Sequence, residues 1–271
     1  MNELLSIREF SKLSGIESTT LRYWDDIGLF SPVRRDPENN YRYYAPSQII
    51  GVNFITVLSS LSIPLKTING VEEERTPAGI MDLIENQENA LDMEMKRLRE
   101  TYSVIHTRRD LIKIGLSVKE GDIFLKKVED RPLLFGPPNV FEAGESFYGP
   151  FMRFCRQAKD LRINLNYPIG GWHADIESFS KAPGEPECFF SVDPTGNKKR
   201  EAGEYLVGYF RGYYGELDGV PEKMSAYARE QGLNFAGPVY TIYLLDEVCV
   251  KDPSQYLVQI CVAVSKKRKK R

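Results

Sequence analysis

The chain has 271 residues, enough for one large domain or two modest ones, and its 42% apolar and 27% charged content is that of an ordinary globular protein. With 36 basic against 38 acidic residues the net charge is −2, which excludes a uniformly basic surface and leaves only local positive patches for an anionic partner. No apolar run reaches the roughly 20 residues that cross a bilayer, the start MNELLSIREF lacks the basic-then-apolar order of a secretion signal, and Cys155, Cys188, Cys249 and Cys261 lie too far apart for a zinc or redox pair; a cytoplasmic protein with reduced cysteines, no membrane association, no metal and no cofactor is expected.

Taken in chain order, Ser6 and Glu9 form a capping box that starts a short helix with Ile7, Phe10 and Leu13 apolar. Gly15 allows a tight turn, and a second helix follows from about Ser18 to Ile27, stopped by Gly28. Two short helices about a glycine turn make a helix-turn-helix candidate. The polar segment from Arg34 to Asn40, between LFSPV and YRYY, reads as a small hairpin or wing, with Asn40 able to take a left-handed backbone. A third helix begins near Pro46 and buries Val52, Ile55 and Leu58, and Pro64 opens a fourth. Thr76 caps a helix with Pro77 at its first position. That helix runs unbroken to about Gly115, with one apolar seam through Ile84, Leu91, Met95, Leu98, Tyr102, Ile105 and Ile112. So thin a seam needs a partner: a coiled coil between two chains is the simple answer, and packing on the chain's own C-terminal domain the alternative.

After Gly121 the period changes. DIFLKKVEDRPLLFG reads as a strand, ESFYGPFMRFCRQAKDL as a helix, and PIGGWHADIESF and PECFFSVDP as strands. The order then repeats: GEYLVGYFRGYYG strand, VPEKMSAYAREQGL helix, PVYTIYLLDEV and QYLVQICVAV strands. A duplicated strand-helix-strand-strand unit places its strands in one antiparallel sheet with both helices on one face. The fold class is α+β, in four segments: a winged helix-turn-helix over 1–75, a long helix over 76–117, the duplicated sheet domain over 121–264, and a basic tail over 265–271.

The set SIREFSKLSGI, TLRYWDDIGLFSP, NYRYYAPSQI and SIPLKTI resembles the MerR family of bacterial transcription regulators, in its multidrug-sensing, BmrR-like branch. The long helix over 76–117 is similar to the family's antiparallel dimerisation helix, and the second half, by element order, to a gyrase-inhibitor-like ligand domain, which makes 121–264 an effector-binding domain by resemblance. The resemblance implies a homodimer that sets two recognition helices in successive major grooves of promoter DNA and activates RNA polymerase there. It implies phosphate contacts from Arg22 and Arg42, hydroxyl contacts from Tyr23 and Tyr41, and base contacts from Ser18 and Thr19 at the front of the helix. Arg34 and Arg35 would grip flanking phosphates, while Trp24 and Tyr44 pack. The first 70 residues hold seven basic and seven acidic groups, so Asp25, Asp26, Asp36 and Glu38 are expected to face away from DNA. Two departures stand out: Glu17 where a Ser or Thr is usual, and Asn40 for the wing glycine. The chain has no cysteine before Cys155, which argues against metal sensing.

Relatives in that branch bind lipophilic, often cationic, compounds among aromatic rings, whose faces attract cations. By position Tyr148, Tyr209 and Tyr256 match the pocket tyrosines, and Trp172, Tyr205, Thr241 and Tyr243 complete the expected ligand set. Alternation groups Tyr205 with Val207 and Tyr209, and Val239 with Thr241 and Tyr243. Thr241 stands where cation binders carry Glu, so a neutral aromatic ligand is expected unless Glu145, Glu187 or Glu204 supplies the acid. The alternatives are a small-molecule hydrolase, for which an acid near Trp172 is the feature to seek, and a drug scavenger that does not switch transcription. His106 and His173 have no evident nucleophile to serve, so no catalytic residue is expected.

Overall fold

The computed structural model describes residues 4–266, apart from 73, 74, 143 and 162. The tail expected over 265–271 therefore lies mostly outside the described residues, and Ser265 and Lys266 belong to the last strand. The chain divides into two compact units, 1–98 and 99–271.

In the first unit β1 (Leu5–Ser6) leads into α1 (Ile7–Ser14), α2 (Ser18–Asp26), β2 (Arg34–Arg35), β3 (Arg42–Tyr44), α3 (Ile49–Ser60) and α4 (Leu65–Glu72). The Ser6–Glu9 capping box forms as expected, and Gly15 ends α1 in the left-handed region at φ 74°. The hairpin β2–β3 pairs Arg34 with Tyr43 and Arg35 with Arg42, β1 adds a third strand on β3, and Asn40 takes φ 58° at the tip. Phe10, Phe30 and Tyr44 stack inside a core closed by Leu21, Trp24, Ile55 and Ile68. A 41-residue helix, α5 (Pro77–Ser117), begins at the Thr76 cap, whose hydroxyl accepts the Gly79 N–H at 3.0 Å. Ile80 and Leu83 pack on that core, whereas Leu91, Met95 and Leu98 on the same helix stay exposed.

The second unit is an eight-stranded antiparallel sheet. Its strands are β4 (Ile123–Val128), β5 (Arg131–Pro138), β6 (Ile169–His173), β7 (Cys188–Ser191), β8 (Lys198–Arg200), β9 (Gly203–Arg211), β10 (Leu233–Leu245) and β11 (Leu257–Lys266). The helices are α6 (Tyr148–Gln157), α7 (Ile176–Lys181) and α8 (Val220–Glu230). The spatial order is β4-β9-β11-β10-β6-β7-β5-β8. The duplicated unit is there: β9-α8-β10-β11 and β5-α6-β6-β7 meet along the β10–β6 pair. Three local readings change. The segment expected as one strand from Asp122 breaks at Glu129–Asp130 into β4, which pairs with β9, and β5, which pairs with β7. The strand begun at Ile169 ends at His173, because Asp175 accepts the Ser178 N–H and caps α7. The strand β8 carries no alternating apolar signal and was not anticipated.

One face of the sheet carries Leu206, Phe210, Val239 and Val258 against Val220 and Met224 of α8 and Phe179 of α7. The other carries Tyr205, Val207, Tyr209, Leu257 and Cys261 against Leu111 of α5. The sheet curls enough for Arg200 on β8 to sit 5.7 Å from the Tyr205 ring on β9.

Candidate functional site

Two sites arise, one in each unit. In the first, the helical period of α2 buries Leu21, Trp24 and Asp25 and leaves Thr19, Arg22 and Tyr23 exposed on the other side, with Ser18 beside them half-buried. The exposed Tyr23 and Tyr41 contrast with the buried Trp24 and Tyr44, the division expected of them. Arg34 is exposed and lies 4.9 Å from the centroid of the Tyr43 ring. Glu17 precedes α2 without capping it through its side chain.

Of the acids expected to face away, Asp25 is turned from the exposed face by burial: its side chain is fully buried and joins helix to wing. Arg35 donates to both its oxygens at 2.7 Å, and Arg42 Nε donates to Oδ2 at 2.5 Å. Arg42 reaches Asp26 as well, at 3.0 Å. Burial pushes the Asp25 carboxyl up, but hydrogen bonds from Arg42 and then Arg35 outweigh it and hold the carboxyl below its usual range. Arg35 and Arg42 are opposite one another across the hairpin, where like charges repel; the carboxylate between them removes that repulsion. Two of the arginines expected at phosphate thus already have a structural occupation that sequence spacing did not reveal.

In the second unit a cavity of about 530 Å³ opens on the helix-covered face, within the range of small-molecule sites. Of the seven expected ligand residues, Tyr148, Thr241, Tyr243 and Tyr256 line it. Trp172, Tyr205 and Tyr209 do not: they belong to the core on the opposite face. Alternation rightly grouped Tyr205 with Tyr209 and Thr241 with Tyr243, but the two groups face opposite ways. Tyr209 is wholly buried and accepts from Gln259 at 3.0 Å.

The walls are aromatic. Tyr214 meets Tyr243 edge-to-face at 4.5 Å and Tyr256 at 5.5 Å, and Phe147 stacks on Tyr214 at 5.8 Å. The turn carrying Tyr213 and Tyr214 depends on Gly212 at φ 154° and Gly215 at φ 82°, and the Tyr243 hydroxyl fastens it by donating to the Tyr213 carbonyl at 2.7 Å. Gly171 keeps the floor open, since a Cβ there would lie 2.8 Å from Thr241 Oγ1. Thr241 itself donates to the Gly171 carbonyl at 3.3 Å.

The acids nominated from sequence are elsewhere. Glu145 pairs with Arg153 at 2.5 Å, and hydrogen bonds from Arg153 pull its carboxyl down to about 2. Glu187 accepts the Ala174 N–H at 3.1 Å, and Glu204 sits on β9 opposite Lys127. Instead Asp246 and Glu247, just past the end of β10, line the cavity. Glu247 is exposed and accepts the Tyr214 hydroxyl; burial, and then that hydrogen bond, push the Tyr214 phenol far up. Burial raises Tyr148 to about 12, so these phenols stay neutral. Arg108 of α5 reaches the wall, donating to Asp246 at 3.3 Å and to the Asn166 carbonyl at 2.9 Å. The missing carboxylate at Thr241 therefore does not make the cavity acid-free, and the expectation of a neutral ligand loses its basis. The strand alternation 241, 243 leads directly towards this acidic turn, a signal the sequence contained.

His173 is buried against Phe179, and burial pushes it down to about 4. Among the described residues no group of His, Cys, Asp and Glu could hold a metal ion, and no helix is long and apolar enough to cross a membrane.

The chain is similar to several known regulators. The multidrug-efflux transporter 2 regulator of Bacillus subtilis is 24% identical over 89% of this chain and 89% of its own. The multidrug-efflux transporter 1 regulator of the same organism is 32% identical over 59% of this chain and 58% of its own. A solved complex of EcmrR with DNA covers 97% of this chain and 100% of its own at 16% identity and a TM-score of 0.40. Residues 6–44, the two short helices and the wing, match the MerR family regulatory protein family, and the first unit carries a MerR-type helix-turn-helix.

Proposed function

We propose that the protein is a ligand-responsive transcription activator of the bacterial cytoplasm. It binds promoter DNA as a homodimer, distorts it when a lipophilic small molecule occupies the aromatic cavity, and so presents the promoter to RNA polymerase. The observation that carries this reading is the coexistence, on one chain, of an exposed Thr19–Arg22–Tyr23 helix face beside a wing and a 530 Å³ tyrosine-lined cavity. Labour divides with the chain: residues 1–75 read DNA, 76–117 dimerise and 121–264 bind the ligand. The exposed seam of Leu91, Met95, Leu98, Tyr102 and Ile105 supports dimerisation, because that apolar surface is left uncovered in one chain. Ser18 and Thr19 address base edges, Arg22, Arg34, Tyr23 and Tyr41 the backbone, and Arg35 and Arg42 brace the wing through Asp25.

Glu247 at the cavity rim, among ring faces, favours a lipophilic compound with a positive centre. Arg108 gives occupancy a route to α5: a cation drawn towards Asp246 and Glu247 competes with Arg108 for Asp246, and Arg108 is part of α5. Bending DNA costs several kcal/mol, which ligand contacts help to offset. A hydrolase reading is disfavoured by His173, which packs on Phe179 inside the core, and by Glu187, which is occupied by the Ala174 amide. The test is a dye-labelled fragment of the chain's own promoter region, titrated with protein and a panel of lipophilic compounds. Retardation as a dimer, with an energy-transfer change only for compounds that also quench tyrosine fluorescence, is expected. Compounds that quench and leave the DNA unchanged would reduce the protein to a scavenger.

A further inference from the structure

The face of the sheet opposite the cavity holds an arrangement that the proposed function does not use. Arg131 on β5 and Arg200 on β8 are direct cross-strand partners, so their side chains leave the same face within a few ångströms of each other. Arg131 is half-buried and its side chain makes no hydrogen bond or ion pair with the described residues; burial, and then the charge of Arg200, press against its charged form. Arg200 lies over the Tyr205 ring at 5.7 Å and gives one bond, to the Glu129 carbonyl at 3.3 Å, while its Nε is covered and unpartnered. Lys198, on the same face two residues away, sits 4.7 Å over Phe135. The neighbouring acids are otherwise engaged or too distant to bond: Asp130 pairs with Lys199 at 2.9 Å, and Asp110, the acid felt at Arg131, accepts from Arg109 at 3.2 Å.

The wing shows how this chain treats the same motif elsewhere. Arg35 and Arg42 are also cross-strand partners, and a buried carboxylate sits between them. At Arg131 and Arg200 the arginines are in place and the carboxylate is not. A guanidinium presents a planar fork of donors that fits an oxyanion, and covered, unpartnered donors are costly to leave so.

We propose that Arg131 and Arg200, with Lys198 at the edge, form an oxyanion site on the face of the ligand sheet opposite the aromatic cavity. The oxyanion is a carboxylate or phosphate, either free in solution or a carboxylate side chain of a second copy of this chain. The site is separate from the ligand cavity, so a free oxyanion there stands or falls apart from the transcription reading.

The test uses the full chain and inorganic phosphate as probe, against chloride at equal ionic strength. For a free oxyanion, saturating phosphate raises the thermal midpoint of the unmodified chain by roughly 2–4 °C. Arg131→Met and Arg200→Met abolish that rise, and Arg131→Met in chloride melts no lower than the parent because an unpaired charge has gone. Arg131→Lys, which keeps the charge without the fork, guards against a folding failure and weakens the phosphate response about tenfold in concentration. If phosphate has no effect on the parent but both Met variants sediment towards monomer, the oxyanion is the second copy's carboxylate. A phosphate rise that persists unchanged in both variants overturns the proposal, as does no rise together with parent-like sedimentation of both.

Discussion

Replacing Arg42 with Ala separates a strut from a DNA contact. Asp25 is fully buried, Arg42 retains 17% of its side-chain exposure and Arg35 44%. Removing one partner of a buried pair costs about 3–5 kcal/mol because a charge is left uncompensated. Here Arg35 stays at 2.7 Å and Arg42 is partly wet, so roughly half of that, about 2 kcal/mol, is expected. That lowers a urea midpoint by about 1 M for a typical slope. Two tryptophans make the assay clean: Trp24 lies in the winged helix and Trp172 in the sheet. With Trp172→Phe as background, Trp24 fluorescence reports the first unit alone. The DNA readout runs beside it. Arg22→Ala, on the exposed face, should lower the log–log salt slope of binding by about one unit, whereas Arg42→Ala should leave the slope unchanged while weakening the fold. An Arg42→Ala protein as stable as its parent, with a slope one unit lower, would refute the strut and make Arg42 a phosphate ligand.

Further expectations concern the seam, the buried histidine and the rim acid. Leu91→Asp with Leu98→Asp should give monomers by light scattering, near 31.0 kDa, since charge buried in an apolar interface is costly; a dimer in the double variant would remove the seam from the interface. His173 has its pKa lowered from 6.5 to about 4 by burial. Its contribution is therefore whole above pH 6.5 and is lost as pH falls towards 4, up to roughly 3 kcal/mol. His173→Leu should flatten the thermal midpoint of the second unit across that window, and an unchanged pH dependence would count against this. Glu247→Gln should weaken a quaternary-ammonium ligand about fivefold (~1 kcal/mol) against its neutral isostere, measured by fluorescence titration; equal weakening of both would mean that charge recognition lies elsewhere.

What could be read from the sequence was local. The capping box at Ser6 and Glu9, the left-handed Gly15, Gly28 and Asn40, and the Thr76–Pro77 start each depend on residues within four positions, and all formed. Alternation was legible too, but its sign was not. The residues 205, 207 and 209 share a face whether that face meets the cavity or the second core; Tyr205 and Tyr209 lie in the second core, Thr241 and Tyr243 on the cavity wall. Trp172 is cross-strand from Tyr240 rather than from Thr241, and a one-residue difference in register decides which face it joins. Long-range pairings were the least legible. Asp25 with Arg42, Arg108 with Asp246 and Tyr214 with Glu247 span 17, 138 and 33 positions, and nothing in local spacing selects them.

The most direct measurement is run-off transcription by bacterial RNA polymerase from the chain's own promoter region, with a compound already shown by fluorescence to enter the cavity. It compares the parent with Met152→Trp, in which an indole on the exposed, cavity-lining Met152 of α6 fills the space. The compound should raise transcription with the parent and have no effect with Met152→Trp, while both proteins retard the promoter fragment equally. Equal stimulation of the two proteins, or a compound that binds the parent and leaves transcription unchanged, would contradict the proposal that cavity occupancy drives the DNA response.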